Sequence, residues 1–180
     1  MSVIVDEAIW PWKGKLWAHL VSDTSLIELH DFTVELGIRR MAFQGDHYDI
    51  SKEMRRRAID LGALPVGSRE LIVSLRKANL RLPASKRPGS WSEITFPSLK
   101  GDFSKLDGFI PKRLKNALEN YVITDWHSAL ISVFRRLNEF SAVVNNTNGV
   151  SIKNDLPSQL ESRCTDGTLL EILYKEEFLA

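Results

Sequence analysis

A single cysteine, Cys164, is all that the 180 residues contain. It has no partner for an internal disulfide or a thiolate zinc site, which fits a reducing compartment. No apolar run approaches the roughly 18 residues that span a membrane. Asp6 and Glu7 also stand where a secretory leader would be basic. The expectation is a cytoplasmic protein with no membrane partner. Net charge is nearly absent as well: 24 Lys and Arg face 23 Asp and Glu, with 14 basic against 11 acidic residues up to Ser90 and 10 against 12 beyond it. Such a balance gives little sign of a broad phosphate-neutralising face and leaves room only for a local patch. Walker, GxGxxG, HExxH and paired-cysteine motifs are missing too, so conventional nucleotide folds and zinc signatures gain no support.

What the chain does have is material for a core. It is 43% hydrophobic and 26% charged, and a chain of this length buries about 70% of its unfolded surface without staples. One large domain or two small ones would fit.

Val3, Ile4 and Val5 form a β-branched run ending at Asp6, and residues 16–21 form a second apolar run ending at Ser22 and Asp23. Between them IWPWKGK carries Pro11 and Gly14, the marks of a loop or hairpin. Ser25 and Glu28 stand at capping-box spacing ahead of a helix that presents Leu26, Leu29, Thr33 and Leu36 and stops at Gly37. A strand over 38–43, a polar segment QGDHYD, a Ser51-capped helix to Gly62, a strand over 63–66 and a Ser68-capped helix with Leu71, Ile72 and Leu75 follow. Alternating strands and helices predict an α/β domain over 1–80 with a small, parallel-dominated sheet, whose ligands would lie beyond the strands' carboxyl ends. Residues 81–90, RLPASKRPGS, offer almost nothing to bury and read as a linker. Residues 91–180 read as mainly helical. That region holds a short helix over 111–120, a longer one from Thr124 with Trp126, Leu130, Val133, Leu137 and Val144 near one face, and a last one over 169–178.

The segments VIVDEAIWPWKGKLWAHLVSD, LHDFTVELGIRR, FQGDHYD and GALPVGSREL follow one another over residues 2–76. In this order they resemble the bacterial and phage family catalogued as domain of unknown function 4031. The resemblance implies no activity, cofactor or site residue, because the family has none established. For the residues beyond Ser90 no resemblance is identified.

Chemistry must therefore be sought in the residues themselves. Asp6, His19 and Asp23 lie at or near the predicted strand ends and mix carboxylate with imidazole, a donor set for a divalent metal, Mg²⁺ or Mn²⁺. His47 and Asp49 share a loop expected to end a strand and are the candidate catalytic pair, although an Asx-type turn before the next helix would also explain them. His30, at the edge of an apolar stripe, reads as a structural hydrogen-bonding residue. Trp10, Trp12 and Lys13 interleave aromatic and cationic groups as a base-and-phosphate site does; closing the end of a small core is the competing explanation for the tryptophans. Ser68 and Arg69 open a helix whose amides could meet an anion. Arg55, Arg56 and Arg57 fan around their helix and read as a solvated face.

The reading these features favour is recognition of a phosphorylated nucleotide or short nucleic-acid end, with metal-dependent phosphoester hydrolysis. The alternative is a non-catalytic protein that sequesters a nucleotide or docks on another protein, a phage accessory role, with the helical region forming a homo-oligomer.

Overall fold

A computed structural model describes residues 2–96 and 98–176. The chain folds as two compact units, Met1–Pro88 and Gly89–Ala180.

In the first unit β1 (Val3–Val5), β2 (Trp10–Trp12) and β3 (Lys15–Ser22) are followed by α1 (Leu26–Glu35), β4 (Tyr48–Ser51), α2 (Lys52–Asp60), β5 (Leu64–Pro65) and α3 (Ser68–Lys77). Both β1 and β2 pair with one edge of β3, β4 pairs with the other edge, and β5 lies outside β1. Only the β1–β5 pair is parallel, which corrects the expected parallel-dominated sheet. The reason is connection length. Nine residues, 6–14, separate β1 from β3, too few for a crossover and enough for a return. Lys13 and Gly14, both at positive φ (47° and 73°), make the two-residue turn of the β2–β3 hairpin.

Alternation along the strands gives the sheet two buried faces. Val3, Val5, Ala18, Leu20, Tyr48 and Ile50 pack with Leu29 of α1 and Ala58 of α2, whereas Ile4 and Val21 pack with Leu71 and Leu75 of α3. His19 and Asp49 are register partners, so they share the face of Val21, beside α3. Ser25 caps α1 and Ser51 caps α2 through the amides of Glu28 and Met54. Two local expectations fail. Residues 38–43 hold a 3₁₀ turn, Arg40–Ala42, with a lone bridge from Phe43 to Tyr48, and the cap of α3 is Gly67, with the Ser68 hydroxyl turned elsewhere.

The second unit corrects the expected mainly helical region. Among its described residues the one α-helix, α4 (Lys112–Tyr121), falls where a short helix was expected. Besides a 3₁₀ turn, Phe103–Leu106, the other described elements are β6 (Ser92–Ile94), β7 (Val122–Thr124), β8 (Leu130–Arg136), β9 (Glu139–Asn145), β10 (Val150–Ile152), β11 (Leu160–Thr165) and β12 (Leu169–Lys175). Five of these strands form an antiparallel sheet in the order β11-β12-β9-β8-β6, and β7 pairs with β10. Leu114 and Leu118 of α4 share a core with Val133, Ala142, Val144, Leu170 and Ile172. The run from Thr124 is thus not a helix but β8 and β9 joined by a two-residue turn, with Leu130 and Leu137 about 70% exposed (74% and 68%). The expected last helix is β12 over its described part; residues 177 and 178 of that expectation lie outside the described residues. The homo-oligomer expectation was tied to a helical region that this sheet replaces. Among the described residues no helix is long and apolar enough to cross a membrane.

Candidate functional site

Where β1 ends, the Asp6 amide still donates to the His19 carbonyl at 3.2 Å, and the Asp6 side chain supplies the acceptor for the returning half of that rung. One carboxylate oxygen accepts from the His19 amide at 2.7 Å, and the other from His19 Nδ1 and the Ser68 hydroxyl, each at 2.9 Å. The carboxylate is fully buried. Burial alone would raise its pKa, but these hydrogen bonds outweigh it and hold the group below its ordinary value. Parallel β5 delivers Ser68 to this point, and Arg55 of α2 donates to the Asp6 carbonyl at 2.5 Å.

A second buried carboxylate repeats the arrangement. Asp46 accepts from His47 Nδ1 at 2.5 Å on one oxygen and, on the other, from Arg81 at 3.1 Å and the Leu82 amide at 2.9 Å; Arg87 Nε lies 3.9 Å away. Desolvation opposes the charge of Asp46, yet His47, the Leu82 amide and Arg81 keep its pKa low. For His47 burial pulls the pKa down, and the hydrogen bonds to Asp46 and Asp49 more than reverse it, so the ring sits above its ordinary value.

With Nδ1 of each ring engaged, both Nε2 atoms turn to one carboxylate: Asp49 Oδ1 lies 3.4 Å from His47 Nε2 and 3.8 Å from His19 Nε2. The three side chains each offer one atom within 4.8 Å of the others. Two ligands held about 2.1 Å from one ion stand roughly 3 to 4 Å apart, and the separations of Asp49 Oδ1 from the two Nε2 atoms fall in that range. Buried carboxylates behind the imidazoles are the usual outer support of such ligands. Beside the cluster is a cavity of about 110 Å³ lined by Asp6, Trp10, His19, His47, Ser68, Arg81 and Arg87 and, from α3, by Leu71, Ile72 and Leu75.

Residues 3–78 match the model of a family described as Protein of unknown function (DUF4031). The DUF4031 match contains both His–Asp pairs and Asp49, and stops short of Arg81 and Arg87. No curated protein and no solved structure matches the chain.

The sequence candidates therefore fall into two groups. Asp6, His19, His47, Asp49, Ser68 and Trp10 are brought together, with Asp6 behind a ring and not at the cluster's centre. Asp23 is elsewhere: β3 runs antiparallel to β1, so its carboxyl end lies beside Ser2, whose amide donates to Asp23 at 2.8 Å. Thr24, that same amide and burial set its pKa, burial opposing and the hydrogen bonds prevailing to lower it. Arg69 is exposed and does not line the cavity. Trp12, at 58% exposure, carries Lys13 over its ring at 4.5 Å, and Trp10 is 48% exposed, so neither closes the core. Tyr48 points away from the cavity, its hydroxyl 3.0 Å from His30 Nδ1 in the α1 layer. Sequence reasoning assigned no role to Asp46, Arg81 or Arg87. The only signal for them was a carboxylate directly before His47 and three basic residues in RLPASKRPGS.

Proposed function

We propose that the first unit is a divalent-metal-dependent hydrolase of phosphoesters in a phosphorylated nucleotide or nucleic-acid end. One observation carries this reading: two imidazoles, each held at Nδ1 by a buried carboxylate, direct their Nε2 atoms at the same oxygen of Asp49. Neutral Nε2 lone pairs beside a carboxylate suit Mn²⁺ or a later first-row ion better than Mg²⁺, which favours oxygen ligands.

A bound ion would supply an activated water and charge neutralisation. The chain supplies the rest. His19, His47 and Asp49 would hold the ion, Asp6 and Asp46 would fix the ring tautomers, and Arg81 and Arg87 at the cavity wall would orient the phosphate. In hydrolysis the water oxygen bonds to phosphorus, the P–O bond to the leaving group breaks, and the water proton ends on the departing oxygen, with no change of oxidation state. The opening amides of α3 add a favourable dipole on the same side.

A second reading draws on the raised pKa of His47. A protonated His47 would pair with a phosphate directly, as a nucleotide-sequestering protein requires. Calorimetric titration of the metal-free protein with Mn²⁺, together with turnover of bis(p-nitrophenyl) phosphate, separates the two. Hydrolysis requires one bound ion per chain, activity abolished by chelator, and loss of both in His47→Ala. A protein that binds nucleotide but takes up no Mn²⁺ and returns the ligand chemically unchanged overturns the hydrolytic reading and leaves the second.

A further inference from the structure

Two features of the first unit exceed what a mononucleotide needs. The first is a row of rings running from the hairpin tip to the cluster. Trp12 meets Trp17 edge-on at 5.5 Å, Trp10 is the register partner of Trp17, Trp10 meets His19 at 5.6 Å, and His19 meets His47 at 5.2 Å. Trp10 and Trp12 are both about half exposed. They lie two residues apart on β2, which places them about 6.6 Å apart along the strand on one face. A nucleotide with its phosphate at the cluster can reach Trp10; Trp12 is the next platform outward.

The second feature is the cationic part of the cavity lining. Arg81 and Arg87 line the cavity and also form the wall of an adjoining groove of about 560 Å³, to which Arg76 adds a third guanidinium and no residue contributes a carboxylate. Cationic lining that continues past the cavity matches a backbone with more than one phosphate. Exposed aromatic faces are used by unstacked bases, which a duplex does not offer.

We propose that the substrate of this site is a single-stranded polynucleotide that lays bases on Trp10 and Trp12 and runs its phosphates across Arg81, Arg87 and Arg76. The scissile phosphate then sits at His19, His47 and Asp49, and for that position the inference rests on the hydrolytic reading; strand binding itself does not require the metal.

The test is fluorescence anisotropy with the full chain in EDTA, using end-labelled oligo(dT) and oligo(rU) of increasing length, a labelled mononucleotide and a short duplex. Affinity is expected to rise with length up to about four to eight nucleotides and to favour single strands over duplex. Trp12→Ala should weaken oligonucleotide binding by about tenfold or more, and Arg76→Ala should reduce the salt dependence by about one phosphate contact. Both residues are exposed, so an unchanged melting temperature verifies the fold of each variant. The dT and rU arms distinguish DNA from RNA. Equal affinity for mononucleotide and oligomer, tighter binding of duplex, or oligonucleotide binding indifferent to both substitutions overturns the inference. Length-dependent binding without Mn²⁺ uptake upholds it and refutes hydrolysis alone; hydrolysis of a small diester without length dependence does the reverse.

Discussion

Replacing Asp46 by asparagine alters the site by one proton position while keeping its shape. In the native unit one Asp46 oxygen faces His47 Nδ1, and the other faces two donors, Arg81 and the Leu82 amide. The asparagine carbonyl must face the two donors, because its NH₂ there would set donor against donor. That choice turns the NH₂ toward His47 Nδ1, which becomes the acceptor and pushes the ring proton onto Nε2. Nε2 then has no lone pair to give a metal. Loss of a charged acceptor for Arg81 and His47 should cost about 1.5 to 3 kcal/mol of stability, and Mn²⁺ affinity should fall by about 10- to 100-fold. Asp46→Ala is the harsher control. It strands the Leu82 amide and the Arg81 charge and should cost about 3 to 5 kcal/mol. Urea unfolding gives the stabilities, Mn²⁺ calorimetry the affinities, and nitrogen NMR of the ring the tautomer. A folded Asp46→Asn protein that binds Mn²⁺ within about twofold of the native chain would refute the argument, since only the tautomer logic predicts a loss.

Asp49 is half exposed on its side chain (46%), so Asp49→Ala should leave the unfolding free energy within about 0.5 kcal/mol and lower Mn²⁺ affinity more than about 100-fold, as removal of a direct ligand exceeds the loss of an outer one. Gly45 has φ +94°, and a methyl there would lie 2.7 Å from Pro88 Cδ and 2.9 Å from Leu82 Cδ1; Gly45→Ala should cost about 2 to 4 kcal/mol in urea unfolding and loosen the segment bearing Arg81 and Arg87. For pH, His47 is raised, so its contribution to stability is complete below its ordinary pKa of about 6.5 and is lost as pH climbs through the higher folded value. Asp6 and Asp46 are lowered, so theirs is present above about 3.8 and is lost as pH falls through the depressed values. Mn²⁺ must displace the His47 proton, so its affinity should rise with pH through the same upper window, by up to about tenfold per pH unit; a flat calorimetric profile there would refute this. In the second unit Leu130 is exposed and Leu118 fully buried, so thermal unfolding should register under about 1 kcal/mol for Leu130→Asp and about 2 to 5 kcal/mol for Leu118→Ala.

Much of the first unit was legible because its signals are local. Ser25 and Ser51 cap helices through contacts three residues away, and Pro11, Lys13 and Gly14 enforce a hairpin within its own span. The residue types of the site were legible too: His19, His47 and Asp49 stand out as imidazoles and a carboxylate next to predicted strands. Their grouping was not, because it depends on register. His19 meets Asp49 through the β3–β4 pairing, and Asp23 is carried away by the antiparallel turn of β3. Length could have exposed this error, since nine residues between β1 and β3 cannot hold a crossover helix.

The second unit was misread for a different physical reason. β9 and β12 are buried at five consecutive positions each, so they lack the period-two alternation that marks a half-buried strand, and their apolar runs fit a helical stripe equally well. The decisive signals lay in the turns. Asp166 and Gly167, both at positive φ (52° and 66°), open the three-residue loop of the β11–β12 hairpin, and Asp-Gly is among the strongest short-range turn marks. RLPASKRPGS shows the complementary lesson, that a segment with little to bury can still be held by charge. Arg81 and the Leu82 amide converge on one buried carboxylate, and Gly45 leaves the room for Leu82 and Pro88 to lie against it. Those contacts span more than thirty residues of chain, so neither composition nor periodicity registers them. They nonetheless make this stretch the outer support of His47, through Asp46, while His19 draws its support from Asp6.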